Sequence, residues 1–174
     1  MKTKTQRVLA IMHVVAWIIF VGLCIETGAM LCSFIVSLVN PVAVKHMYLD
    51  LNLSGLDHYD HGAYITVVSF MICITAAKAF ITYLTIKIFM KINLANPFSD
   101  EVAALVQRIS VVAFVTGLFA IIASSYSDWL IKKGISIPFS WSAGEILLLA
   151  GVVFVIAQVF KRGMELQAEN DLVI

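Results

Sequence analysis

Charge is what this chain has least of. Only 13% of its residues are Asp, Glu, Lys or Arg, against the ~25% of ordinary soluble domains. Too few charges are present to coat a soluble fold, so most of the surface must face lipid. The formal net charge is +1, which leaves nothing to attract nucleic acid directly. Cys24, Cys32 and Cys73 form no Cys-x-x-Cys pair and no Cys/His metal spacing. Cysteine packs as a small apolar residue, and the three are read that way. No cysteine lies beside a base, and the histidines are scattered, so no catalytic constellation is present and no enzyme or cofactor is expected. A long polar stretch is also missing. The longest is 40–62, so no soluble domain is expected within the 174 residues, a length that suits one domain.

What the chain has instead is four continuous apolar runs, 8–39, 63–90, 102–126 and 141–160. Each reaches the ~20 residues a helix needs to cross ~30 Å of hydrocarbon. A backbone crosses lipid only as a helix or a closed barrel, and unbroken runs are helices. The expected fold is all-α, an integral membrane four-helix bundle. Its helices would cover about 8–39, 63–90, 99–126 and 141–169. Between and after them lie an outer loop 40–62, an inner loop 91–98, an outer loop 127–140 and an inner tail 163–174. Residues 1–20 have the basic start of a signal peptide, but the apolar run outlasts a ~7–15-residue secretory core, so an uncleaved first helix is expected.

Lysine and arginine concentrate on the cytoplasmic side of membrane proteins. Lys2, Lys4, Arg7, Lys87, Lys91, Arg108, Lys161 and Arg162 fall on one side, against Lys45, Lys132 and Lys133 on the other. Both termini are therefore expected in the cytoplasm. Tyr48, Tyr59, Tyr64, Tyr126, Trp129 and Trp141 fall at the expected outer boundary, where amphipathic rings sit. The first run would be ~48 Å long as one helix. It must tilt, project or break, with Gly28 the weak point, and Asn40-Pro41 is a firm stop. Ser99 is a good N-cap for the third helix, and Asp100 and Glu101 suit its dipole. In the fourth, Ala143, Ala150 and Ala157 repeat every seven residues beside Gly144, Gly151 and Gln158. Such small-residue stripes admit a close neighbour, as does Ala113-x-x-x-Gly117. Packing within one subunit is the expected use, with a homodimer as the alternative.

Glu26, Lys78 and Glu145 lie inside the runs. An ionisable residue at the bilayer centre costs ~2.5–3.5 kcal/mol on insertion scales and marks a structural pair or a site. Glu26 and Glu145 both fall in the outer half and could share a polar cavity, holding a proton or a cation between them. Lys78 is deeper, with Thr75, Thr82 and Thr85 on its side of the helix at offsets within ~60°. These three charged residues are the candidate ligand-binding set. His13 reads as an interfacial hydrogen-bonding residue. In the outer loop, Asp57-His58-Tyr59-Asp60-His61 is the densest polar cluster. On one helical turn His58 and His61 would share a face, a pattern suited to zinc or copper, but spacing fixes no third ligand. A solvated, turn-rich loop is the expected reading.

The inner face carries two specific segments. One is Asn96-Pro97-Phe98 ahead of Ser99, a turn followed by an exposed apolar plug. The other is Gly163-x-Glu165-Leu166-x-x-Glu169-Asn170-Asp171-Leu172, closing on apolar residues that want a groove. With its helix count, the chain resembles the bacterial four-helix membrane family catalogued as domain of unknown function 2975. That resemblance implies a multi-pass protein of the bacterial inner membrane rather than a particular activity. Relatives are often encoded beside a very small helix-turn-helix regulator, which implies capture of such a protein in the cytoplasm. Asn96, Pro97, Phe98, Glu165, Leu166, Glu169, Asn170 and Asp171 are the expected contact residues. The expected function is thus non-enzymatic regulation, with a small transporter or ligand-binding bundle as the alternative. Reporter fusions test the orientation: green fluorescent protein fused to either terminus should fluoresce, whereas alkaline phosphatase there should be inactive.

Overall fold

In a computed structural model of the chain, residues 4–40, 52–92 and 99–171 are described. They form α1 (Lys4–Val39), the short α2 (Ser54–Tyr59), α3 (His61–Lys91), α4 (Asp100–Lys132) and α5 (Ala143–Asp171), with no strand among them. The four long helices are each long and apolar enough to cross a membrane. Their large apolar side chains point outwards, Ile18 at 67% exposure and Leu148 at 71% among them. Outward leucines and isoleucines would be a liability in water and are the expected surface in lipid.

The arrangement differs from a closed bundle. α1 packs on α3, α3 on α4 and α4 on α5, α2 packs on α3, and no other pair of these helices touches. The long helices therefore form an open row in chain order, with α1 and α5 as its edges. They run antiparallel: Phe20 of α1 meets Tyr83 of α3, and Phe34 meets Tyr64. One end of the row, the terminal end, carries Lys4, the α3–α4 connection and Asp171. The other, the cap end, carries α2 and the α4–α5 connection.

The tight core lies at the cap end. Leu53, Leu56, Tyr64, Val67, Leu130, Ile135 and Trp141 are buried together there. Two hydrogen bonds stitch it. Tyr64 Oη donates to Ser37 Oγ of α1 at 2.6 Å, and Trp141 Nε1 donates to Ser127 Oγ of α4 at 2.7 Å. Tyr64 is 0% and Trp141 8% exposed. Both depart from the expected aromatic belt, because each ring's polar tip found a hydroxyl on a neighbouring helix. Tyr59 and Trp129 stay exposed.

Several helix ends obey local chemistry. α1 stops at Val39, before Pro41, and runs unbroken through Gly28. Asp60 caps α3, accepting from the Gly62 and Ala63 amides at 3.2 and 2.9 Å, and Ser99 caps α4, accepting from Val102 at 3.4 Å. α4 does not end near Tyr126. It runs on for a further ~9 Å to a Schellman stop, in which Ile135 donates to the Leu130 carbonyl and Gly134 to that of Ile131. Gly134 supplies the left-handed conformation there, with φ 87°. Its hydrophobic clasp is the buried pair Leu130 and Ile135.

α4 and α5 approach most closely through small residues. Ala113, Ala120, Ala150 and Ala157 are buried along this seam. A Cβ on Gly117 would lie 2.5 Å from Leu147 Cδ2 and 2.7 Å from its Cγ. The alanine stripe of α5 thus faces α4, while Gly144 and Gly151 open onto free space. Gly117→Val should lower stability by ~1–3 kcal/mol through overpacking, read as a lower detergent-unfolding midpoint, whereas Gly151→Ala should leave it unchanged.

Candidate functional site

Glu26 and Lys78 fall within one stretch of the α1–α3 pair, between the Phe20–Tyr83 and Phe34–Tyr64 ring contacts. Glu26 is half-buried and Lys78 exposed. No ion pair joins them. The threonines near Lys78 do not serve its ammonium either. Thr75, Thr82 and Thr85 donate to the carbonyls of Met71, Lys78 and Ile81, one turn back on their own helix, at 3.0, 2.9 and 3.0 Å. A hydroxyl in a helix satisfies itself this way when nothing better is in reach. The expected polar stripe is thereby closed internally.

Glu145 is exposed in the first turn of α5, where a carboxylate suits the helix dipole. α1 and α5 occupy opposite edges of the row and do not touch. The structure therefore does not bring Glu26 and Glu145 together within one chain. The expectation of a shared cavity assumed a closed bundle, and contact order along the row removes it.

At the cap end, the loop cluster is divided between two helices. α2 ends at Tyr59, and Asp60 adopts extended backbone with φ −160° before α3 begins. That break places His58 and His61 on different helices, so the i, i+3 register imagined for them is lost. His61 Nδ1 lies 2.6 Å from Asp57 Oδ1, and Asp60 is engaged as the α3 cap. Among the described residues no group of three or more His, Cys, Asp or Glu is placed to hold a metal ion. His13, for its part, accepts from Trp17 Nε1 at 2.9 Å and stacks on Phe89, tying α1 to α3 near the terminal end.

The terminal end gathers the remaining candidates. Lys91 Nζ meets Glu101 Oε2 at 2.8 Å, holding the end of α3 to the start of α4 across their connection. Asn96, Pro97 and Phe98 lie in that connection, outside the described residues, as do residues 172–174. α5 carries Glu165, Leu166, Glu169, Asn170 and Asp171 as its last helical residues. Arg162 Nη1 holds Glu165 Oε2 at 2.8 Å, while Leu166, 47% exposed, and Glu169 face outwards. Met164 still lines a cleft with Asp100 of α4, so the residues beyond it project past the first turn of α4 by ~10 Å. One feature of this end was not expected from the sequence, a cleft between α4 and α5. The heptad of glycine beside alanine in α5 was its signal.

The chain belongs to the family described as protein of unknown function (DUF2975), whose model matches residues 4–174. No curated protein and no solved structure matches it. Because α1 and α5 do not touch, Glu26→Gln and Glu145→Gln should act independently. Their effects on unfolding free energy should add within ~0.5 kcal/mol in a double-mutant cycle.

Proposed function

We propose that this member of the family is a non-enzymatic regulator of the bacterial inner membrane, one that holds a small helix-turn-helix DNA-binding protein in the cytoplasm. The observation that carries the reading is the projection of α5. A helix that has crossed lipid needs no further turns, yet this one continues to Asp171 with its acidic residues and an exposed Leu166 beyond the first turn of α4. The α3–α4 connection, with Asn96, Pro97 and Phe98, belongs to the same end of the row.

The chemistry matches the proposed partner. A DNA-binding surface is basic because it neutralises phosphates. Glu165, Glu169 and Asp171 offer charge of the opposite sign, which steers and selects such a surface, while Leu166 and Phe98 supply apolar anchors. A partner held by its basic face cannot hold DNA with that face at the same time, so capture and DNA binding exclude one another. The alternative, a transporter or ligand-binding bundle, needs Glu26, Lys78 and Glu145 to converge, and a second copy would have to close the row for that.

Removing residues 165–174 should leave the protein in the membrane and abolish co-purification of the small DNA-binding protein. Mass spectrometry of the tagged full chain and the truncated chain, each extracted from the native host, reads the outcome. Retention of the partner by the truncated chain would sink the proposal.

A further inference from the structure

The face of the α4–α5 pair that carries Gly151 is a trough with a polar mouth. Its inner part, about 390 Å³, is walled by Val111, Phe114 and Phe154 and floored at Ala150 and Gly151. The trough exists because α5 presents small residues there: nothing lies within 4 Å of where a Cβ on Gly151 would be. Towards the terminal end it opens into a second part of about 430 Å³. Gln107 borders both, so the two adjoin along the α4–α5 face. The mouth carries Gln107, Gln158, Asp100 and Lys161. From Lys161 to Phe154 the cleft runs ~10 Å along the helix axis, most of the depth of one leaflet of a ~30 Å hydrocarbon core.

The charges at the mouth are selective in sign and place. Glu101 is engaged by Lys91, and Arg162 by Glu165. Asp100 and Lys161 carry no ion pair among the described residues, with each other or with any neighbour. The site thus offers a free cation, a free carboxylate and two carboxamides above an apolar slot. A purely apolar helix would fill the slot and leave both charges unanswered. A headgroup bearing a phosphate and an N–H cation answers both.

We propose that this cleft is a binding site for a glycerophospholipid with a primary ammonium headgroup, phosphatidylethanolamine. One acyl chain lies in the trough against Phe114 and Phe154. The phosphate accepts from Lys161 Nζ and the carboxamides of Gln107 and Gln158. The ammonium donates to the Asp100 carboxylate. A trimethylammonium headgroup has no N–H to give Asp100, and a glycerol headgroup has no cation to offer it.

The test is native mass spectrometry of the full-length protein in maltoside micelles, with equal amounts of dioleoyl phosphatidylethanolamine, phosphatidylglycerol and phosphatidylcholine. The ethanolamine lipid should be retained about tenfold over the other two, the worth of one charge-assisted hydrogen bond. Asp100→Asn should remove that advantage. Gly151→Phe fills the slot from a position with open space around it, so it should release the lipid without lowering the unfolding midpoint. Equal retention of the three lipids would overturn the proposal. So would a preference that survives Asp100→Asn, or unchanged retention by Gly151→Phe. Retention of water-soluble glycerophosphoethanolamine to the same extent would show that the slot plays no part. A lipid-free dimer that Gly151→Phe dissociates would assign the cleft to a second copy instead.

Discussion

A hydrocarbon layer offers no water to a backbone amide, and the rest of this structure follows from that. Every N–H and C=O in the lipid must be paired within its own segment, so each long run is one helix, unbroken even at Gly28. The same absence of water removes the usual reason for helices to associate, since a lipid tail is as apolar as a leucine side chain. What remains is close packing. Gly117 takes Leu147 almost against its backbone, and buried alanines line the seam on either side. The result is a row in which each long helix touches only its neighbours in chain order.

The cap end obeys different physics. There α2 and the α4–α5 connection cover the helix ends and bury Leu53, Leu56, Tyr64 and Trp141 as the core of a soluble domain would be buried. Two side-chain hydrogen bonds, Tyr64 to Ser37 and Trp141 to Ser127, join α1 to α3 and the connection to α4. A polar bond sealed from water holds a partner's position as well as its energy, so this end is the rigid one. The terminal end has a smaller buried cluster, Val102, Val106 and Ala157, beside the exposed ion pair Lys91–Glu101 between α3 and α4, a contact worth little on its own. The larger buried core is therefore at the cap end.

The cleft between α4 and α5 and the tail beyond it belong to the same end of the molecule. A lipid in the cleft and a protein at the tail, as proposed, would both contact α5. Ala150 and Ala157 border both the α4–α5 seam and the cleft, and Gly151 beside them leaves space where a larger side chain would close it.

The four long helices and their order were legible in the chain because they rest on local rules, apolar run length, Pro41 after Asn40, and Ser99 with Asp100 and Glu101 behind it, whereas the short α2 was not. The end of α4 was misplaced at Tyr126, where the apolar run stops, because the helix continues through the more polar residues up to Lys132. The family was legible from the closing segment around Glu165 to Leu172. Tertiary structure alone decided which charges could meet. Hydropathy places Glu26 and Glu145 at similar depth, yet depth says nothing of order around a bundle, and only the packing of α1 on α3 and of α5 on α4 sets them at opposite edges. It also decided that Tyr64 and Trp141 turn inward, since a ring at a membrane boundary goes to water or to a hydroxyl according to what the neighbouring helix presents.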